Sequence, residues 1–293
     1  MIYQESKGKI MITHPQNFHI GDILECGQCF RFQKLGHMHY SLTAFGKMLI
    51  VQQKDDFVEF WYKDKPLSKE EFDTIWVPYF DLQRDYAAII SKITKSDATM
   101  QTAADFAPGI RILAQDPWET LISFIISQNN RISMIKNSVA SLSRRYGTPI
   151  DRENHAFPTL EQLAAATPDG LRDCKVGFRD KYIMDAVNKV ATGQLPMNRN
   201  NNMPTADLRE ALLSVHGVGE KVAHCVLLFG YGRFDTFPVD VWVRRVMEQY
   251  YFDGKPTKAA AILDLAQEHF GEYSGFAQQY LFHFIRTGEK ASK

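Results

Sequence analysis

Short segments of alternating apolar and polar residues fill about the first 65 positions, a period typical of β-strands. His39–Phe45 and Lys47–Gln52 flank Gly46 and predict a β-hairpin. A further strand is expected over Phe57–Tyr62, directly after the Asp55-Asp56 turn. Because these segments are short and rich in Tyr, Phe, Val and Ile, we expect an antiparallel sheet at the N-terminus.

From Ser68 onward the apolar positions recur with helical spacing. Ser68–Glu71 has the pattern of a capping box, and Asp81–Ile93 is amphipathic. Asp116 and Pro117 suit the N-cap and the first position of a helix that is apolar on nearly every side, and therefore buried. Further helices are predicted over Ile132–Tyr146, Leu160–Ala166, Asp180–Thr192, Ala206–Val215, Lys221–Leu228, Val239–Tyr250, Thr257–Phe270 and Gly275–Thr287.

The pattern as a whole predicts an α+β protein. An N-terminal antiparallel sheet domain with flanking helices is expected over residues 1–105, and a mostly α-helical region over residues 106–293. With 293 residues, 45% of them apolar, the chain is long enough for a substantial core. We see no signal peptide and no apolar run long enough to span a membrane, so we expect a cytoplasmic protein.

The formal net charge is zero, with 34 basic and 34 acidic residues, but the charges are unevenly distributed. Thr120–Ile150 contains no acidic residue, whereas four basic residues fall within it: Arg131, Lys136, Arg144 and Arg145. A neutral protein with one basic face is compatible with weak, salt-dependent binding to DNA.

Leu212–Ala223 is the segment that indicates a binding or catalytic function. In it a predicted helix runs into Gly217-Val218-Gly219, and a second helix starts immediately afterwards. Two glycines allow a tight turn, and the first N–H groups of the new helix can then bind a phosphate. Lys221 lies on the first turn of that helix, and Asp240 follows at the start of the next one. On spacing alone a Gly-x-Gly is far more often a simple corner between helices, with Lys221 as a surface residue; the flanking helical patterns and the downstream Asp240 favour the functional interpretation.

These segments together resemble the helix-hairpin-helix superfamily of base-excision DNA glycosylases, and within it the 8-oxoguanine DNA glycosylases. The resemblance runs from about Gly27 to Phe282 and is most specific at the Lys221/Asp240 region and at Ser127–Asn130. It also includes Glu25–Phe32, Val176–Tyr182 and Gly275–Phe282. It implies a sheet domain packed on a helical body, duplex DNA containing 8-oxoguanine as the partner, and no cofactor.

In that family a lysine at the position of Lys221 attacks C1′ of the nucleotide and forms a Schiff base. An imine at C1′ acidifies the C2′ proton, so the resemblance implies a bifunctional glycosylase and lyase. Asp240 would stabilise the positive charge that develops on the sugar, and it can also serve as the N-cap of the helix that begins at Val241.

The resemblance implies that four residues bind the extruded base. The Gly27 carbonyl would accept the N7–H that 8-oxoguanine has and guanine lacks, although a tight turn also explains this glycine. Gln278 would read the Watson–Crick edge, and Phe282 would stack on one face. Cys225 would lie on the other face, or else be a small core residue.

Five further residues would contact the DNA. Asn129 corresponds to the family asparagine at the estranged base, Phe178 to the wedge that enters the base stack, and Arg179 to the residue that reaches the opposite base. Gly217 and Gly219 would hold the phosphate backbone. The alternative for Asn129 is a helix C-cap.

Departures from the family pattern point to its bacterial branch. Met134 stands where eukaryotic members have an arginine that enforces cytosine as the opposite base, so a strict preference for cytosine is not expected. Phe178 replaces a tyrosine, and Trp242 replaces a histidine near the phosphate.

Cys26 and Cys29 form a Cys-x-x-Cys pair, but Cys174 and Cys225 are single and distant. The chain lacks the C-terminal cysteine quartet of the iron–sulfur members, so we expect no metal and place Cys26 and Cys29 in the pocket wall around Gly27.

We expect a monomer. Two other functions remain compatible with the residues: a monofunctional glycosylase for alkylated bases, which would not need Lys221, and a DNA-binding module without catalysis.

Overall fold

In the part of the chain that the structure describes, the N-terminal sheet has six antiparallel strands. A computed structural model describes residues 3–291, with the side chains of residues 289–291 excepted. The strands are β1 (Tyr3–Ser6), β2 (Lys9–Thr13), β3 (Phe32–Gly36), β4 (His39–Ala44), β5 (Lys47–Gln53) and β6 (Phe57–Trp61). Their order across the sheet is β1-β2-β6-β5-β4-β3, and every neighbouring pair is antiparallel. The predicted antiparallel sheet and its hairpin are therefore confirmed.

The β4–β5 hairpin turns at Phe45 and Gly46, whose φ angles are 51° and 70°. Two consecutive residues with positive φ match the right-handed twist of the paired strands, which is why such turns favour glycine. The turn sets Ala44 opposite Lys47, and buried and half-buried residues alternate along β4. One face of the hairpin thereby packs on the sheet's core.

The expectation that the first 65 residues contain only strands is wrong at Ile20–Glu25, which forms helix α1. The His19 ring accepts a hydrogen bond from the backbone N–H of Asp22, and Ile20, Ile23 and Leu24 are buried on one side. Six residues give fewer than two helical turns, too few for the period to be recognised in the sequence. This helix leads directly to Gly27.

The remaining helices form the body of the protein. They are α2 (Lys69–Glu71), α3 (Val77–Tyr79), α4 (Tyr86–Ile93), α5 (Ala98–Phe106), α6 (Pro117–Ser127), α7 (Ile132–Tyr146), α8 (Leu160–Ala164), α9 (Pro168–Asp173), α10 (Asp180–Ala191), α11 (Thr205–Leu213), α12 (Glu220–Cys225), α13 (Val241–Tyr251), α14 (Ala259–Phe270) and α15 (Ser274–Ala291). A π-helical segment joins α2 to α3, and another, Val226–Gly230, extends α12. None of the helices in the described part of the chain is long and apolar enough to cross a membrane.

Two of the predicted helix starts are confirmed by capping side chains. Asp116 accepts from the backbone N–H of Glu119, with Pro117 at the first helical position, and Ser68 accepts from Glu71. The predicted start at Asp81 is wrong, since α4 is capped by Asp85 and Asp81 lies in a turn with φ of 50°. Helices α5 and α9 were not predicted.

Two apolar cores lie in the described chain. One lies under the sheet and includes Ile12, Val51, Phe60 and Trp76; the other is formed by the helices. Helices α4 and α5 precede the helical region in sequence, yet they bury their apolar faces in the helical core. The boundary at residue 105 stays a prediction.

Candidate active site

The turn between α11 and α12 needs glycine at one of its two positions. Gly217 has φ of 79°, and a Cβ there would lie 2.5 Å from the ring of Tyr182. Gly219 has φ of −102° and extended backbone as the N-cap of α12, and a Cβ there would meet nothing within 4 Å. Gly217 therefore serves the packing of the turn, whereas Gly219 leaves open space in front of the first N–H groups of α12.

Lys221 and Asp240 line one cleft of about 670 Å³. The Lys221 Nζ lies 5.0 Å from the centroid of the Phe124 ring. Asp240 is the N-cap of α13, and its Oδ1 accepts from the backbone N–H groups of Trp242 (2.9 Å) and Val243 (2.8 Å). The N-cap role is confirmed, and the same two hydrogen bonds fix the carboxylate at the cleft.

A narrow recess of about 40 Å³ continues from this cleft, lined by Cys225 and Gln278, and Lys221 and Phe282 line both spaces. The Oε1 atom of Gln278 is buried and has no hydrogen-bond partner in residues 3–291. Burial raises the pKa of the Cys225 thiol to about 11, so the sulfur is a neutral, apolar surface at physiological pH. The recess thus places an unpaired amide oxygen beside Cys225 and Phe282, and Lys221 and Asp240 also line it.

Gly27 lines both the cleft and the recess and has φ of 85°. A Cβ at this position would lie 3.0 Å from Arg286 Nη1 and 3.0 Å from Phe282 Cε1. The loop is held by the buried Gln28, whose Nε2 donates to the Ile23 and Arg111 carbonyls at 2.8 Å each. The sequence interpretation of a tight turn holds, and the turn brings the Gly27 backbone to the pocket.

Known proteins share both parts of this architecture. A family model described as the N-terminal domain of 8-oxoguanine DNA glycosylase matches residues 10–121, and one for the HhH-GPD superfamily of base excision DNA repair proteins matches residues 122–270. An N-glycosylase/DNA lyase from Saccharomyces cerevisiae is 31% identical, over 94% of this chain and 85% of its own length. The chain belongs to the 8-oxoguanine DNA glycosylase family.

Two more relatives extend the match. A probable N-glycosylase/DNA lyase from Methanothermobacter thermautotrophicus is 30% identical, over 77% of this chain and 78% of its own length. The structure of the Clostridium acetobutylicum 8-oxoguanine glycosylase/lyase, in complex with duplex DNA containing cytosine opposite 8-oxoguanine, superposes with a TM-score of 0.92. It has 37% sequence identity and covers 99% of each chain. The predicted resemblance and α+β fold are thus confirmed.

In this glycosylase Asn129, which is expected at the DNA, lies on a loop that lines the cleft, and Phe178 neighbours Arg179, which donates to that loop. Asn129 is exposed in the left-handed region, with φ of 46°, and its loop lines the cleft. Phe178 is 52% exposed at its ring. The Phe178 ring meets Tyr182 edge-on, with centroids 5.8 Å apart, and Tyr182 packs in the same way on His216 at 4.9 Å. Tyr182, which the sequence analysis did not single out, therefore joins the exposed ring to the hairpin turn.

Arg179 is only 6% exposed, whereas the adjacent Phe178 is largely exposed. Its Nε donates to the Gln128 carbonyl at 3.1 Å and its Nη1 to the Val176 carbonyl at 3.0 Å, while Nη2 donates to Gln128 and Asn129. In this structure the guanidinium holds the Asn129 loop in place. A direct contact of Arg179 with a base stays a prediction.

The basic stretch of the sequence is less uniform in three dimensions. The Lys136 ammonium lies 3.2 Å from the centroid of the Phe32 ring, and burial lowers its pKa. Arg145 pairs with Asp173 at 3.1 Å. Two residues of the predicted basic face, Lys136 and Arg145, therefore contact other side chains of the protein itself.

Cys26 and Cys29 are buried free thiols that do not line the cleft or its recess, so placing them in the pocket wall was wrong. The Cys26 Sγ instead donates to the Ile23 carbonyl, and burial raises the pKa of both thiols. Within residues 3–291 no group of three or more His, Cys, Asp or Glu side chains could hold a metal ion.

Arg286 lines the cleft and was missed by the sequence analysis. It follows Gln278 and Phe282 at intervals of four residues on α15, so the three side chains share one face of the helix. The spacing of Gln278, Phe282 and Arg286 by four residues is the sequence signal from which Arg286 could have been predicted to face the pocket.

Proposed function

We propose that the protein excises 8-oxoguanine from duplex DNA and then cleaves the strand, with Lys221 as the nucleophile. The observation that carries this proposal is the cleft itself, in which Lys221 and the backbone-anchored Asp240 lie beside the turn at Gly27. The proposal is supported by membership of the family and by relatives that are N-glycosylase/DNA lyases.

The extruded base would enter the cleft and place one edge against the recess. The recess alone has room for only a few water molecules, so the purine ring itself would occupy the larger cleft. Gln278 Oε1 would accept a hydrogen bond from the Watson–Crick edge, which satisfies an acceptor that is otherwise buried without a partner. Phe282 would stack on the base, Cys225 would bound its other side, and the Gly27 carbonyl would accept N7–H.

The chemistry has two parts. The neutral amine of Lys221 attacks C1′, the N-glycosidic bond breaks, and its electrons leave with the base, which takes up a proton. Asp240 stabilises the positive charge that develops on the sugar before the bond to Lys221 is complete. The Lys221 nitrogen, now bonded to C1′, gives up a proton, and the C1′–O4′ bond breaks as the C=N bond forms, with O4′ taking up a proton. The resulting protonated Schiff base then loses a C2′ proton, and the C3′–O3′ bond breaks by β-elimination, so that the 3′ phosphate leaves with its electrons.

The DNA would lie along the rim. The open space in front of Gly219, with the N–H groups of α12 behind it, suits a backbone phosphate, and Gly217 keeps the turn in that shape. Phe178 would enter the base stack, and Asn129, held by Arg179, would face the estranged base. As a repair enzyme of the bacterial chromosome the protein would act in the cytoplasm, and a monomer stays a prediction.

Borohydride trapping on a duplex with one 8-oxoguanine tests this proposal. The wild-type protein and a Lys95→Gln control, which changes an exposed lysine away from the cleft, should form a covalent adduct, and Lys221→Gln should not. Released base without an adduct would mean that water is the nucleophile and that the enzyme is monofunctional. Neither adduct nor released base, from protein that binds the duplex, would leave only a DNA-binding module.

A further inference from the structure

The Arg286 side chain occupies the wall of the cleft on the side of Gly27. Long helical side chains lean toward the helix N-terminus, and accordingly the Arg286 guanidinium lies 5.0 Å from the centroid of the Phe282 ring, one turn earlier. Its Nη2 donates to the Glu25 carbonyl, which ties α15 to the end of α1. The guanidinium is thereby held in one place.

The other terminal nitrogen of Arg286 has no such partner. Nη1 is buried and makes no hydrogen bond within residues 3–291. The comparison with Arg111 is informative, because all three nitrogens of that buried guanidinium donate to backbone carbonyls, those of Asn17, Asp81 and Gln16. A buried donor without an acceptor is unusual, and here it lies 3.0 Å from the Cβ position of Gly27.

The unpaired donor, Arg286 Nη1, and the unpaired acceptor, Gln278 Oε1, lie on the same face of α15. Gly27 lines both the cleft and the recess. A ligand that satisfies both must carry a hydrogen-bond donor at one edge and an acceptor at the other. The 8-oxopurines have this character, since their Watson–Crick edge carries an N–H donor for Gln278, and their N7–H is flanked by carbonyl oxygens that can accept from Arg286: O8 on one side and, in 8-oxoguanine, O6 on the other.

We propose that Arg286 is a specificity residue that donates from Nη1 to a carbonyl oxygen flanking N7 of the extruded base. The proposal rests on the function proposed above, which places N7–H at the Gly27 carbonyl. A permanently charged donor beside that carbonyl completes the recognition of the oxidised edge. The burial of Nη1 favours a base oxygen over a backbone phosphate, because a phosphate stays at the solvent-exposed rim.

Equilibrium binding in a Lys221→Gln background, where excision does not interfere, tests the proposal. Three duplexes are compared: one with 8-oxoguanine, one with 8-oxoadenine, which lacks O6, and one with a tetrahydrofuran abasic site, which has no base. Arg286→Met, which keeps the bulk of the side chain, should weaken binding of the 8-oxoguanine duplex roughly tenfold to a hundredfold, the loss expected for one charged hydrogen bond. Binding of the abasic duplex should change less than about twofold.

Arg199→Met is the matched control. Like Arg286, Arg199 is half-buried, and its guanidinium donates to the Phe229 and Gly230 carbonyls, but it does not line the cleft. This variant should leave the ratio of the 8-oxoguanine and abasic affinities unchanged. Thermal unfolding of each variant shows whether it folds; if Arg286→Met does not, Arg286→Lys retains a shorter charged donor and should show a smaller loss in the same ratio.

The 8-oxoadenine duplex identifies the oxygen. An equal loss with both 8-oxopurines assigns the contact to O8, and a loss with 8-oxoguanine alone assigns it to O6. An equal loss on all three duplexes, or unchanged or tighter binding of 8-oxoguanine, overturns the proposal. An undamaged duplex with guanine at the same position serves as the reference for the Lys221→Gln parent. If that parent binds 8-oxoguanine no more tightly than guanine, the proposed function fails before Arg286 is changed, and the Arg286 assignment fails with it.

Discussion

Replacing each hairpin glycine by alanine should separate folding from DNA binding. At Gly217 the new methyl would lie 2.5–2.6 Å from three atoms of the Tyr182 ring, and φ of 79° disfavours any side chain. The ring has to move by about 1 Å, since unstrained contacts begin near 3.4 Å. The left-handed conformation costs about 1 kcal/mol and the overpacking about 2 kcal/mol, so we expect a destabilisation of about 3 kcal/mol.

At Gly219 the same change should leave stability nearly unaltered. Its φ of −102° suits alanine, and the methyl enters open space. The loss of a good N-cap, about 0.5 kcal/mol, is offset by a similar reduction in the entropy of the unfolded chain. The methyl does stand where we place the backbone phosphate, so affinity for duplex DNA should fall roughly tenfold.

Thermal unfolding and fluorescence anisotropy on a labelled duplex, at one fixed salt concentration, measure the two effects. Gly217→Ala should lower Tm by about 5 °C, while Gly219→Ala should change it by less than about 1 °C. Equal Tm values for the two variants would refute the packing argument at Tyr182. Unchanged DNA affinity of Gly219→Ala would refute the phosphate site.

Four further outcomes are expected. Met134→Arg, on an exposed first turn of α7, should raise the preference for lesions opposite cytosine; an unaltered opposite-base profile in an excision assay would discard that interpretation. Phe282→Ala should lower excision more than duplex affinity, whereas equal losses would make its role structural. His19→Gln should destabilise more at pH 6 than at pH 8 in denaturant titrations. When protonated, the His19 ring donates to the Asp22 carboxylate, 2.9 Å away, and this side-chain hydrogen bond raises the pKa of His19; its contribution is therefore complete below the unfolded value and lost as pH rises through the folded one. Elemental analysis should find no stoichiometric zinc or iron, and either metal would overturn the assignment of Cys26 and Cys29 to packing.

Local chemistry explains which elements were predictable. The Asp116-Pro117 start and the Gly46 hairpin were recognised because the capping hydrogen bond and the positive φ involve only residues close in sequence. The start of α4 was misplaced because Asp81 and Asp85 are both good N-caps, and the choice between them depends on how the preceding turn packs. Helix α1 was missed because its six residues carry too little periodic signal.

The amino-acid pattern alone was enough to predict the family, the antiparallel sheet, the hairpin turn, and Lys221 and Asp240 as the candidate chemical pair. Those features depend on residue types in local segments, which can be read directly from the chain. Three other features became visible only in the folded protein: Arg179 holds the Asn129 loop, Tyr182 lies against Gly217, and Arg286 keeps an unpaired donor beside Gly27. These pairs are far apart in sequence, and whether a buried polar atom finds a partner depends on the packing of elements that the chain pattern does not specify.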